Sequence, residues 1–126
     1  MREGADSPLG RVDAVLAAFG GATTLPASRA LAAVGGDEAA LVQCLVFLRE
    51  RDLLLFAIGD ERLFHRPSVC DEVLALVAVR RTVSPEDVVR HLGLPAAIVG
   101  QALGWLERDG QVEVDAVDGA VVVRRR

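Results

Sequence analysis

The sequence predicts a mainly α-helical protein with small β-hairpins, an α+β fold class, built from two copies of one unit. The first observation is an internal repeat at an offset of 58 residues: "DAVLA" from Asp13 matches "DEVLA" from Asp71, and Leu48 matches Leu106 without a gap. The second is periodicity, because in each copy apolar residues recur every three to four positions and then every second position. The first pattern is typical of helices and the second of strands.

Helices one and two of each copy come first along the chain. "RVDAVLAAFGG" and "CDEVLALVAVRR" carry one apolar stripe each and are predicted as helix one. "TLPASRALAAVGG" and "TVSPEDVVRHLGL" follow as helix two, which in the second copy opens with Ser84 as N-cap and Pro85 at the first helical position. Gly35 and Gly93 are predicted to end helix two, since glycine adopts the left-handed conformation that stops a helix.

Helix three and a hairpin complete each copy. Helix three is predicted over residues 37 to about 52 and over residues 95 to about 109. The period then changes to two in "LLLFAIGDERLFHR" and "QVEVDAVDGAVVVR", so each stretch is predicted as two short strands around a turn. Asp118 and Gly119 form a strong hairpin signal.

The repeat sets the predicted domain boundaries. We expect a flexible N-terminus over residues 1–10, a first domain over 11–67 and a second over 68–126. The boundary lies in "HRPS", residues 65–68, where Pro67 is predicted to interrupt regular structure and to leave a very short linker.

This order of elements resembles the winged-helix family, a variant of helix-turn-helix. The second copy carries the likeness best in "SPEDVVRHLGLPAAIVGQALGWLERDGQVEV", with an apolar-Gly-apolar turn at residues 92–94 and an "LxxxG" ending at 106–110. The first copy departs from it, with two glycines at 35–36 and Asp52 where the family usually has glycine. The tandem architecture is similar to that of segregation and condensation protein B and of the ESCRT-II winged-helix subunits.

The resemblance implies that helix three is the recognition element, which in DNA-reading members exposes side chains able to reach bases and phosphates. Here the positions left outside are mostly small or apolar if the core-facing residues are Val99, Leu103 and Leu106 in the second copy and Leu41, Leu45 and Leu48 in the first. Such a face is typical of a protein contact. The predicted contact residues are Ala97, Gln101 and Trp105 in the second copy and Val42, Gln43 and Phe47 in the first. For the two aromatic residues, a place in the core is the competing interpretation.

Arginine residues are the feature of the sequence that supports DNA binding. The second copy and the chain end supply six that together are predicted to follow a phosphate backbone, namely Arg80, Arg81, Arg90, Arg124, Arg125 and Arg126. The competing interpretation assigns the first two to a helix C-terminus and the last three to a solvated tail. All 14 basic residues are arginine, but 18 acidic residues leave a net charge of −4, which disfavours nucleic-acid binding.

Catalytic and metal-binding patterns are weak in this sequence. The two histidines lie at non-equivalent positions of the copies, and neither has a neighbouring ligand or triad partner at suitable spacing. The two cysteines show no metal or redox spacing, and no phosphate-binding glycine-rich loop occurs. We therefore expect neither enzymatic activity nor a cofactor nor a metal.

Two functions remain open at this stage. The favoured one is a cytoplasmic protein-interaction or adaptor module, acting on a protein partner or by self-association through the helix-three faces and wings. The alternative is a DNA-binding transcriptional regulator. No apolar run in the sequence reaches the ~18 to 20 residues of a membrane span, so we expect no membrane insertion.

Overall fold

The computed structural model describes residues 8–126, and the chain divides into two compact units after Arg66. The predicted α+β fold class is confirmed, because each unit combines helices with a three-stranded antiparallel sheet. The division lies one residue before the predicted domain boundary. Of the predicted flexible N-terminus, residues 1–7 lie outside the described residues, and residues 8–10 already belong to the first helix.

The first unit runs helix, strand, helix, helix, strand, strand. Its elements in chain order are α1 (Pro8–Phe19), β1 (Thr24–Pro26), α2 (Ala27–Ala33), α3 (Glu38–Glu50), β2 (Leu54–Leu55) and β3 (Arg62–His65). The strands lie in the order β1-β3-β2, with Leu25 opposite Leu63 and Leu55 opposite Phe64. Helix α1 packs against α2 and α3.

The second unit has the same order of elements. They are α4 (Arg66–Arg80), β4 (Thr82–Val83), α5 (Pro85–Leu92), α6 (Ala96–Arg108), β5 (Val112–Val117) and β6 (Ala120–Arg125). The sheet order is β4-β6-β5. Helices α3 and α6 both begin and end 58 residues apart, at the offset of the sequence repeat.

Two sequence-based expectations were wrong. The first strand of each sheet, β1 or β4, lies in a stretch that was predicted as helix two, because strands of two or three residues are too short to display an alternating pattern. Pro67 was predicted to interrupt regular structure, yet β3 ends at His65 and α4 begins at Arg66. Proline is tolerated in the first helical turn because its missing N–H has no intrahelical acceptor there.

Helix α5 is capped as predicted. The Ser84 hydroxyl accepts a hydrogen bond from the Asp87 N–H at 3.1 Å, and the Asp87 carboxylate accepts one from the Ser84 N–H at 3.2 Å, which completes a capping box. The Ser84 backbone N–H first, and then the Ser84 side chain and Arg90, hold the pKa of the Asp87 carboxyl below its ordinary value. Gly93 ends the helix with φ of 65°. Helix α2 ends at Ala33, and Gly35 follows its C-cap Val34 with φ of 75°, the left-handed conformation predicted there.

The cap gives a stability prediction. Replacing Ser84 with alanine removes the acceptor for the Asp87 N–H, so we expect the free energy of unfolding to fall by about 1 kcal/mol. Thermal or urea unfolding measures it. Ser28→Ala is the matched control, because Ser28 is exposed inside α2 and caps nothing in the described structure. Equal losses in the two variants would contradict the capping account.

The two hairpins differ in length. Strands β5 and β6 pair over six residues each, and Asp118 and Gly119 close them with φ of 51° and 81°, the positive angles of a type I′ turn. In the first unit β2 pairs over two residues only, and residues 56–61 form an open loop. Asp52 adopts φ of 57° just before β2, so the left-handed residue expected there is kept without a glycine.

Each unit has its own aliphatic core. Four core residues on the third helices were missed in the sequence because only the leucine and valine stripe was assigned inward: Ala40, Cys44, Ile98 and Ala102. The predicted inward residues Val99, Leu103 and Leu106 are buried, as is Leu48. Leu41 and Leu45 were also predicted inward but are only half-buried, because Ala40 and Cys44 occupy the centre of the α3 interface.

Candidate functional site

The exposed face of α3 carries two valines that no core requires. Val42 and Val46 are 58% and 50% exposed, and they lie one turn apart on the helix. With half-buried Leu45 and Phe56 they line a groove of about 180 Å³ between α3 and the loop after β2, and Arg49 completes its wall. We call this the α3 groove. It is an apolar recess whose lining contains one cation and no carboxylate.

The loop extends this apolar surface. Ile58, at its tip, is fully exposed. On the loop's far side Arg62 donates two hydrogen bonds to the Asp60 carboxylate, at 3.0 and 2.8 Å, and holds the pKa of that carboxyl below its ordinary value. The only charged pair of the loop is therefore satisfied internally, while its apolar residues face outward or into the groove. Phe56 and Ile58 could not be assigned to this surface from the sequence, because an irregular loop gives no periodicity that would place its side chains on a face.

The other predicted contact residues of α3 lie beside the groove. Gln43 is exposed. Phe47 is half-buried, and the Arg51 guanidinium stacks over its ring at 3.6 Å from the ring centroid. Gln43 and Phe47 also line a second recess of about 80 Å³ between α1 and α3, together with Leu9, Arg11, Val12, Ala40 and Cys44. Val42, Gln43 and Phe47 are thus divided between two recesses on either side of α3.

The corresponding face of α6 is smoother. Ala97 and Gln101 are exposed as predicted. Trp105 is half-buried, as is Phe47 at the equivalent position of the first unit. Gly100 and Gly104 occupy the positions equivalent to Val42 and Val46, and a methyl group placed on either glycine would meet nothing within 4 Å. The second unit therefore offers no apolar side chains at the two positions that shape the α3 groove.

The six predicted phosphate-binding arginines lie on or beside α4, on α5 and on or beside β6, and two contacts bring the ends of these elements together. Thr82 pairs with Arg124, which places the end of α4 beside the end of β6. Arg80 Nη2 lies 2.5 Å from His91 Nε2, which joins the ends of α4 and α5. The predicted solvated tail was wrong for Arg124 and Arg125, since both belong to β6.

Acidic neighbours neutralise half of this arginine cluster. Arg90 pairs with Asp87. Arg124 lies 2.5 Å from Asp115 and 3.6 Å from Glu113, and Arg126 lies 3.8 Å from Glu113. Within residues 8–126, the members without a carboxylate partner are Arg80, Arg81 and Arg125. Three of the six arginines are therefore available to bind phosphate groups without competition from a carboxylate.

Catalytic and metal-binding geometry is weak in the described part of the chain. Residues 8–126 contain no group of three or more histidine, cysteine or acidic side chains placed to hold a metal ion. Both cysteines are buried. Burial raises the pKa of Cys44, although the Arg11 charge partly offsets it. His91 sits between the Arg80 guanidinium and the Asp87 carbonyl, with Nδ1 at 3.0 Å from that oxygen.

No single helix within residues 8–126 is long and apolar enough to cross a membrane. Helices α2 and α3 reach the required length and composition only when taken together, and a bend of 107° separates them.

Comparison with known proteins identifies a structure of the same fold. The mRNA-binding domain of elongation factor SelB from E. coli, solved in complex with SECIS RNA, superposes with a TM-score of 0.56 at 16% sequence identity, over 96% of this chain and 98% of that chain. At this identity the likeness establishes the fold alone, and it agrees with the predicted winged-helix arrangement. No protein-family model and no curated protein matches the chain. The likeness to segregation and condensation protein B and to the ESCRT-II subunits stays a prediction.

Proposed function

We propose that this chain is a non-enzymatic protein-interaction module that docks a partner protein in the α3 groove. The observation that carries the proposal is the pair of exposed valines, Val42 and Val46, on the helix that a nucleic-acid reader would fill with polar and basic side chains. Exposed aliphatic side chains flanking a recess mark surfaces that become buried in a complex.

The energetics favour a modest affinity. Fully burying a valine, leucine or phenylalanine side chain contributes about 1.5–3 kcal/mol. Val42 and Val46 still have roughly half of that burial available, and Leu45 and Phe56 have less. Four such side chains offer several kcal/mol, from which the cost of association must be subtracted. Micromolar binding corresponds to about 8 kcal/mol, so a partner of that affinity must also cover the exposed Ile58 beside the groove and make polar contacts at its rim.

The repeat supplies an internal comparison. The two units share one fold, yet α6 carries Gly100 and Gly104 where α3 carries the valines. The fold therefore does not need aliphatic side chains at these positions. A requirement outside folding, such as a partner, accounts for them better.

Selection from a displayed random-peptide library tests the proposal. The immobilised chain is expected to enrich peptides with apolar anchors that bind with micromolar affinity. A Val46→Asp chain is then used for counter-selection, with Val79→Asp as the matched control, since Val79 is an 80% exposed valine on α4 of the second unit. Enrichment of peptides that bind both variants equally, or no enrichment at all, would reject the α3 groove as the docking surface.

Nucleic-acid binding is the second candidate function, and one observation favours it: the SelB domain with the same fold was solved in complex with an RNA. In this chain the residues that would bind phosphates are Arg80, Arg81 and Arg125, the members of the cluster that have no carboxylate partner in the described structure. Their binding would be electrostatic and independent of sequence.

The arginine cluster gives a prediction for this candidate. Since only three charges are available, we expect any binding to hairpin RNA or duplex DNA to disappear at moderate salt and to weaken about ten-fold in an Arg81→Gln, Arg125→Gln double variant at low salt. Fluorescence anisotropy measures it. Arg62→Gln is the control, because Arg62 already pairs with Asp60. Tight binding that persists at moderate salt and needs Arg81 and Arg125 would make nucleic acid the main ligand.

A further inference from the structure

The valines of the α3 groove belong to a row of exposed α3 side chains that is acidic at one end and basic at the other. Glu38, Val42, Val46 and Arg49 follow one another along α3 at steps of four, four and three residues, which keeps them on one side of the helix. The row thus reads acid, apolar, apolar, base over a length of about 16 Å. Glu38 and Arg49 form no ion pair within residues 8–126, although Arg62, Arg90 and Arg124 all do.

This order is self-complementary. When two such helices lie antiparallel, Glu38 of one faces Arg49 of the other, and Val42 of one faces Val46 of the other. The same contacts then repeat across a two-fold axis near the middle of the helix, as an isologous dimer requires. A parallel arrangement would instead place Glu38 against Glu38 and Arg49 against Arg49.

We propose that the occupant of the α3 groove is a second copy of this chain, bound with its α3 antiparallel about a two-fold axis. The inference rests on the proposed function, because it names the partner of the same groove. Glu50, which follows Arg49, lies about 100° round the helix and stays outside the contact. Half-buried Leu45 and Phe56 form the floor that the partner's valines cover.

The helix dipole of α3 is a simpler explanation for Glu38 and Arg49, but it does not account for the whole row. An acid in the first turn and a base in the last turn both favour the helix dipole. Helix α6 forms at the equivalent place with Ala96 and Glu107 at these positions, so the fold does not depend on that pair of charges. The dipole also gives no reason for the two valines between them.

Charge exchange tests the geometry. Glu38→Arg and Arg49→Glu each place like charges at both symmetric contacts, so each variant alone is expected to dimerise at least about ten-fold more weakly than the natural chain. An equimolar mixture of the two is expected to regain the dimer, because every contact in the mixed pair is again attractive. The double variant carrying both changes on one chain is expected to dimerise by itself.

Light scattering after size exclusion, over a concentration series, measures the mass against the 13.4 kDa of one chain. Glu107→Arg is the control, since it reverses a charge at the position of α6 equivalent to Arg49, and its dimer is expected to be unchanged. Circular dichroism checks that each variant is folded. A natural chain that stays monomeric at about 100 μM, where a micromolar dimer would be populated, or a mixture that does not recover, overturns the proposal.

The outcomes separate this inference from the proposed function. If dimerisation fails while selected peptides still require Val46, the second copy is excluded and the groove serves another protein. If neither dimerisation nor peptide binding depends on Val46, both proposals fail together.

Discussion

Leu106→Ala is expected to lower the free energy of unfolding of the second unit by about 3 kcal/mol. Leu106 is completely buried on α6 and contributes to a core made almost entirely of small aliphatic residues. Removing three of its carbons costs the transfer free energy of those groups and leaves a cavity, which together amount to about 2–5 kcal/mol for buried leucines. A unit of about 60 residues has little more stability than that to lose.

Urea unfolding monitored by tryptophan fluorescence measures this loss. Trp105 is the only tryptophan and lies on α6, so its emission reports on the second unit. Val79→Ala, an 80% exposed position on α4, is expected to change the midpoint little. A loss below about 1 kcal/mol for Leu106→Ala would contradict its place at the centre of the core.

The Val42→Asp, Val46→Asp double variant is expected to weaken partner binding about a hundred-fold. Each change removes an apolar anchor and puts a charge into a surface that becomes dry in the complex, at a cost of more than about 1.4 kcal/mol per site. Because both valines are half exposed or more, we expect the free energy of unfolding to change by less than about 0.5 kcal/mol. Isothermal titration with a selected peptide measures the affinity.

A matched variant sharpens this prediction. Val117→Asp, Val121→Asp places the same two charges on exposed valines of the β5–β6 hairpin and is expected to bind as the natural chain does. Equal affinity of the two double variants would show that the α3 groove takes no part in binding. A large stability loss in the groove variant would instead reveal a structural role for its valines.

Much of the fold could be predicted because its signals are local. The repeat, the helical stripes, the Ser84 cap and the Asp118-Gly119 turn each depend on residues close in sequence. The first strand of each sheet could not be predicted in this way, since two or three residues become a strand only by pairing with a segment about 40 residues later. The effect of Pro67 could not be predicted either, because proline is tolerated in the first turn of a helix and the sequence does not fix the residue at which α4 begins.

The candidate site was only partly predictable for a related reason. Val42 was assigned to an exposed face of helix three from periodicity, and its exposure agrees with that assignment. Phe56 and Ile58 lie on an irregular loop, where side-chain direction follows from tertiary packing alone. The pairing of Arg124 with Glu113, by contrast, was predictable in principle, because the two-residue turn at Asp118 and Gly119 fixes the register that places Glu113 opposite Arg124.

The most direct measurement of the central claim is a two-dimensional NMR titration of the isotopically labelled chain with a selected peptide. The α3 groove predicts that the largest shift changes fall on residues 42–49 and 54–58, with the second unit little affected. Shift changes centred instead on the ends of α4 and β6, around Arg81 and Arg125, would contradict the claim and move the binding surface to the arginine cluster.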